Sequence, residues 1–207
     1  PHDATVLLMS MIPTDSRLAC GLFCRAAAVH PRRQTVKPLA RLWESADLVG
    51  VHRRHIAGWL QENEDALPAE ERSALVIVLH GTLLADKSGR PPAFHNGKHE
   101  KTYYGDALRK SLAELHDSPW QRVEIAYLNH AVGGHWSQPT LEDCLARLAQ
   151  EGMRCVYAYP AEHLVESAET ARLAHTLDAS PVARGFCLPS LNDSPRFIDF
   201  LADRVRA

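Results

Sequence analysis

The sequence predicts an α/β fold: a three-layer sandwich with a parallel four-stranded sheet, preceded by the end of a similar first domain. Three observations lead there. Short apolar runs recur across residues 74–207, each bounded by turn residues. Segments of helical period separate them. Strands joined through helices need crossover connections, so they pair in parallel, with right-handed crossovers.

The elements follow in order. Ala4–Pro13 reads as a buried strand ended by its proline. Ser16–Val29 places Leu18, Leu22, Phe23 and Ala26 at helical spacing, and His30-Pro-Arg-Arg33 stops it. Thr35–Pro38 is a short extended piece. Ala46–Glu62 is a helix with Leu48, Val51, His55, Trp59 and Leu60 on or near one face. The polar stretch Pro68–Ser73 marks a boundary, so two domains are expected. Residues 1–68 would be the C-terminal part of a first domain of similar kind, and 69–207 the second α/β domain. The abrupt opening at Pro1 fits a chain read from within a longer one.

From Ala74 the alternation becomes regular. Ala74–Leu79 is a strand running into His80-Gly81, and the polar stretch Thr82–Gly97 is long for a connection, which points to function or mobility. Lys98–Leu115 reads as a helix with Ala107, Leu108, Leu112 and Leu115 inward. Val123–Leu128 is a strand, Asn129–Pro139 a loop, and Thr140–Gln150 a helix stopped by Gly152. Arg154–Tyr159 is a strand, Ala161–Leu177 a helix, and Val182–Leu188 a weak strand. Pro195–Arg206 closes the chain as a helix with Phe197, Ile198, Leu201 and Val205 inward.

Composition removes several functions. The 23 basic against 25 acidic side chains give a net charge of −2, so nucleic acid is not the expected partner. No apolar run approaches the roughly 18 residues a membrane span needs. The 5 cysteines include no CxxC pair, which fits a reducing, cytoplasmic setting with no disulfide framework. No glycine-rich phosphate loop or GxSxG elbow is present, which argues against nucleotide binding and hydrolysis. The 12 histidines are the one compositional hint of chemistry.

Parallel sheets bind ligands beyond the carboxyl ends of their strands, so the loops opening at His80, Asn129, Pro160 and Pro189 matter most. His80 either caps its loop or reaches a ligand. Glu162, Glu166 and Glu169 share one face if the helix begins at Ala161, where they form a metal path or complement the positive helix end. The Asn129–Thr140 loop carries His130, His135 and Trp136, whose indole offers a flat face to a planar ligand or packs as a lid. His95 and His99 have a metal-compatible spacing but no third ligand. Cys20 and Cys24, at the same spacing, read as buried small hydrophobes.

These residues resemble the ferrochelatase family. Val76-Ile-Val-Leu-His-Gly81 is similar to its strand ending in Ser-Ala-His-Gly. Trp136-Ser-Gln-Pro-Thr140 is similar to its Trp-Leu-x-Pro-x-Thr segment. Tyr159-Pro160 through Glu169-Thr170 resembles its Pro-x-Gly-Phe-x-x-Asp-His-x-Glu-Thr stretch. Leu191-Asn192-Asp-Ser-Pro195-Arg-Phe197-Ile198 matches its closing Leu-Asn-x-x-Pro-x-Phe-Ile. The resemblance implies a chelatase-like Rossmann-type three-layer sandwich for 69–207, with 1–68 the C-terminal part of a first chelatase-like domain. It also implies insertion of ferrous iron into a porphyrin, protoporphyrin IX or coproporphyrin III, in heme biosynthesis. It implies His80 and Glu169 as the catalytic pair, with metal contact by both. Proton removal and metal contact are not divided between them. Glu166 is expected on the metal path, and Trp136, His130 and His135 beside the porphyrin.

Ferrous iron enters as substrate, with no tightly bound cofactor and no iron–sulfur motif. The partners are porphyrin and a divalent metal, with peripheral membrane contact left open. The family's Gly-Phe after the proline is missing, its Asp-His is replaced by Glu166-Ser167, and the acids beyond its glutamate are replaced by Leu173 and by Thr176 or Leu177. Two alternatives therefore stand beside this reading: a cobalt or nickel chelatase for another tetrapyrrole, and a non-catalytic porphyrin- or metal-binding relative.

Overall fold

Along the central strand β3 (Ser73–His80), successive side chains point into two different cores. Leu75, Ile77 and Leu79 enter one, and Ala74, Val76 and Val78 the other. A run apolar at every position is what a strand covered on both faces requires. The computed structural model describes residues 6–8, 13–14, 25, 28, 36–38, 41–68 and 72–206.

The strand β3 pairs in parallel with β5 (Arg122–Leu128) on one side and β7 (Cys155–Tyr159) on the other, and β8 (Arg184–Cys187) extends the sheet beyond β7. The order β5-β3-β7-β8 is the expected four-stranded parallel sheet. One face is covered by α1 (Ala46–Glu62), α2 (Lys98–Ala113) and α5 (Pro195–Arg206), through Leu48, Ile56, Tyr104, Leu108 and Phe197. The other is covered by α3 (Leu141–Gln150) and α4 (Ala168–Asp178), through Leu145, Leu148, Leu173 and Leu177. Those are the three layers.

A smaller parallel pair, β1 (Val6–Leu8) with β2 (Val36–Pro38), lies within the first forty residues. Most of the expected Ser16–Val29 helix, with Cys20 and Cys24, lies outside the described residues. Leu42, Leu48, Val51 and Ile56, which precede residue 68, share one cluster with the face of the sheet.

Two departures shape the site. The helix expected from Ala161 begins only at Ala168. Ser167 caps it reciprocally: its N–H donates to Thr170 Oγ1 at 2.8 Å and its Oγ accepts from Glu169 N–H at 3.2 Å. Residues 161–166 therefore form a loop, and Glu162, Glu166 and Glu169 share no helical stripe. The two long loops also carry short strands, β4 (Leu83–Ala85) and β6 (His135–Trp136), which pair antiparallel and lean one loop on the other. In α5 Phe197 and Phe200 are buried and Leu201 packs against the same core, while Ile198 and Val205, expected inward, face solvent.

Candidate active site

His80 ends β3, His130 opens the loop after β5, and Glu169 stands in the first turn of α4. The three converge because their strands are adjacent and parallel, so their carboxyl ends share one edge. His80 Nε2 lies 2.9 Å from His130 Nε2. Glu169 Oε1 is 3.5 Å from the first and 3.6 Å from the second. The three donor atoms lie within 4.8 Å of one another, the one set of three potential metal donors found among the described residues.

Backbone packing makes this convergence possible. Gly81 follows His80 and meets Asn129, which precedes His130. A Cβ on Gly81 would lie 2.8 Å from Asn129 Cα, closer than real Cβ contacts come, so only glycine lets the strand ends approach. The Gly81 N–H donates to Leu128 C=O at 2.9 Å and continues the ladder one step past β3.

The fourth polar member is His163, from the loop after β7. Its Nδ1 is 3.5 Å from Glu169 Oε2, so the carboxylate faces two imidazoles with one oxygen and a third with the other. His163 is 5% exposed, and its Nε2 is buried without a hydrogen-bond partner among the described residues. Burial lowers its pKa against the opposing pull of Glu169. His80 is pushed down to about 3, first by burial, then by the Lys101 cation and the two neighbouring imidazoles. At neutral pH His80 is therefore uncharged, and its Nε2 shares a hydrogen bond with His130 Nε2.

Beneath His80 the chain buries an ion pair. Lys101 Nζ lies 3.2 Å from Glu162 Oε2, with the two side chains 5% and 0% exposed. Lys101 also donates to His80 C=O at 2.7 Å, and Glu162 Oε2 accepts the His80 N–H at 2.9 Å. Thr14 Oγ1 hydrogen-bonds Glu162 Oε1.

The expected residues are placed unevenly. His80, Glu169 and His130 come together, and Trp136 adjoins them: its ring meets His130 edge-on at 5.6 Å, and its Nε1 donates to Val132 C=O at 2.8 Å. His135 faces solvent on the other side of β6. Glu166 is exposed in the loop before α4, its N–H on Asn192 Oδ1 at 2.9 Å, and it lines a different hollow with Thr170, Cys187 and Pro189. With no helix at 161–167, nothing aligns it with Glu169. His95 pairs with Glu100 at 2.8 Å, and His99 rests edge-on against Trp43, so those two histidines do not share a ligand.

Lys101 and His163 were not picked out by the sequence. Lys101 had a signal, since it falls on the α2 stripe of Tyr104, Leu108 and Leu112, a charge in a buried row. His163 had only the missing Gly-Phe.

Fold and site together define a class: a parallel α/β sandwich with a histidine–glutamate cluster at the carboxyl ends of its strands. The chain belongs to the ferrochelatase family, whose profile matches residues 3–207. It is 26% identical over 157 residues to the ferrochelatase of Synechococcus elongatus, an alignment covering 72% of this chain and 40% of that protein. The ferrochelatase of a second Synechococcus strain matches equally. The chain thus spans about two fifths of the length of these relatives.

Among solved structures it is similar to CbiX, described as the terminal enzyme for biosynthesis of siroheme in denitrifying bacteria. That likeness has a TM-score of 0.57 at 14% identity and covers 98% of this chain and 75% of the other. It is also similar to SirB from Bacillus subtilis with Fe3+, with a TM-score of 0.53 at 14% identity over 99% and 72% of the two chains. Both likenesses establish the chelatase-type Rossmann-like fold. Among the described residues, no helix is long and apolar enough to cross a membrane.

Proposed function

We propose that this protein acts as a tetrapyrrole metal chelatase, a lyase-type activity in which ferrous iron enters a porphyrin such as protoporphyrin IX or coproporphyrin III. The observation that carries this is the triangle of His80, His130 and Glu169, with sides of 2.9, 3.5 and 3.6 Å. Ligand atoms about 2.1 Å from one cation stand roughly 3.0–3.4 Å apart in octahedral or tetrahedral geometry. The triangle is already close to that size. Two imidazoles and a carboxylate with open positions are a donor set suited to ferrous iron, and the open positions are where pyrrole nitrogens take over the ion.

The residues divide the work as follows. His80, kept neutral well below the usual imidazole range, is a metal ligand and a poor proton acceptor near pH 7. His130 is the second imidazole ligand. Glu169 faces the metal position with Oε1 and His163 with Oε2, which gives a pyrrole proton a way out on the side away from the metal. Trp136, packed on His130, offers its ring to the flat macrocycle. We place the reaction in the cytoplasm. A second reading, insertion of cobalt or nickel into another tetrapyrrole, draws support from the third imidazole, His163, because nitrogen-rich sites suit those ions.

The test is anaerobic incubation of the protein with a free-base porphyrin and ferrous, cobalt, nickel or zinc ion, following loss of free-base fluorescence. The expected result is insertion above the uncatalysed rate with ferrous iron. Glu169→Gln is expected to slow it on the order of 100-fold, a loss of about 2.7 kcal/mol in transition-state stabilisation. Insertion of cobalt or nickel alone would select the second reading. No insertion with any of the four ions would overturn the assignment.

A further inference from the structure

We infer that Lys101 and Glu162 are positioning residues of the metal centre: a buried ion pair that grips the main chain of His80 and thereby aims its imidazole. The inference rests on the proposed role of His80 as metal ligand. Both charges touch the same residue. The ammonium holds the His80 carbonyl at 2.7 Å, and the carboxylate holds the His80 N–H at 2.9 Å. These are charge-assisted bonds, roughly twice as strong as neutral ones.

Their place in the fold explains why such bonds are needed. His80 is the last residue of β3. It pairs with Leu128 on the β5 side, but the β7 ladder ends at Ile77 opposite Tyr159. The end of the strand therefore lacks a neighbour on one side. Glu162 fills that place from the loop after β7, and Lys101 reaches it from the first turn of α2. Thr14 donates to the remaining oxygen of Glu162, so that carboxylate is fully partnered.

A buried ion pair is weak evidence for stability, because desolvating two charges offsets most of their attraction. Stability alone would be met as well by a pair of apolar residues of similar volume. Here the pair instead spans three separate parts of the chain, and both of its charges end on one residue of the metal triangle. Groups that orient metal ligands from behind typically contribute 10- to 100-fold in metal affinity.

The experiment compares the parent protein with Lys101→Met/Glu162→Gln, which removes both charges together and leaves no unpaired ion. Cobalt(II) is titrated by calorimetry and by its visible absorption bands, which report ligand geometry, and melting temperature is recorded alongside. The expected result is a folded variant with a melting temperature near the parent's, a cobalt dissociation constant weakened 10- to 100-fold, and shifted bands. A folded variant with parental affinity and spectrum would overturn the inference.

If the double variant does not fold, Lys101→Gln/Glu162→Gln, which also leaves no unpaired ion, decides the question in the same way. Unchanged cobalt binding in it would overturn the inference, and weakened binding with shifted bands would support it. His80→Ala serves as the control. If it binds cobalt like the parent, the reading of His80 as a ligand fails, which is distinct from failure of the ion-pair inference.

Discussion

Two histidines in this protein have pKa values pushed down to about 3 and sit among opposite kinds of partner. His52, on α1, is fully buried and pushed down to about 3, chiefly by burial. His80 is pushed down to about 3 for the same leading reason. Yet His52 Nε2 meets Tyr104 OH at 2.5 Å, its Nδ1 meets Tyr159 OH, and both rings pack edge-on against it. Each nitrogen of His52 is matched to a hydroxyl that can donate or accept as the tautomer requires. His80 instead shares a hydrogen bond with another imidazole and faces a carboxylate, three groups able to offer ligand atoms to one point. The depressed pKa alone does not mark a site; the character of the partners does.

The largest effect that sharpens this comparison is His52→Ala. It removes a fully buried ring and takes a partner from two buried hydroxyls, so a destabilisation of about 3–5 kcal/mol is expected in urea unfolding. A change under about 1 kcal/mol would mean the triad is not a structural pin. Next is His80→Ala, which should lower metal insertion on the order of 100-fold, about 2.7 kcal/mol, while leaving the melting temperature nearly unchanged. If the two variants show the same pattern, the distinction between the histidines collapses.

A smaller effect comes from pH. Below 6.5 the unfolded chain protonates His52, whereas the folded chain does not until about pH 3. The unfolded state thus binds more protons in that window, and stability must fall as pH drops from 6.5 toward 3. The slope approaches about 1.4 kcal/mol per pH unit for this imidazole. Urea unfolding at pH 7, 6 and 5 reads it directly; a flat profile in the parent, or the same slope in His52→Gln, would contradict the assignment. The smallest expected effect belongs to Glu166→Gln. Its exposed position away from the triangle predicts an unchanged metal titration, within about 0.5 kcal/mol. A raised half-saturating metal concentration would restore it to the path.

The order of strands and helices was legible in the sequence because β3 and β7 are buried on both faces, which leaves unbroken apolar runs. The closing helix Pro195–Arg206 and the helix Ala46–Glu62 were legible to the residue. What misled was the segment after Tyr159. Its acids sit at helical spacing, but burial of Glu162 against Lys101 and the Ser167–Thr170 cap hold it as a loop. Local spacing lost to a tertiary ion pair and a cap. His80, Glu169 and Trp136, which the fold brings to one strand-end edge, were singled out by motif order. His163 and Lys101 escaped because their roles depend on what lies across the fold from them.

The contact of Gly81 with Asn129 has a further consequence. The residues after and before it in the chain are set like the legs of a caliper: His80 on one arm, His130 on the other, with the missing side chain at the hinge. A methyl group there would act as a wedge between the arms, and the two imidazole nitrogens would open beyond the span that a single small cation bridges. The spacing of the two imidazoles is thus fixed by an atom the chain does not have, and it is written into a backbone contact rather than into either ring.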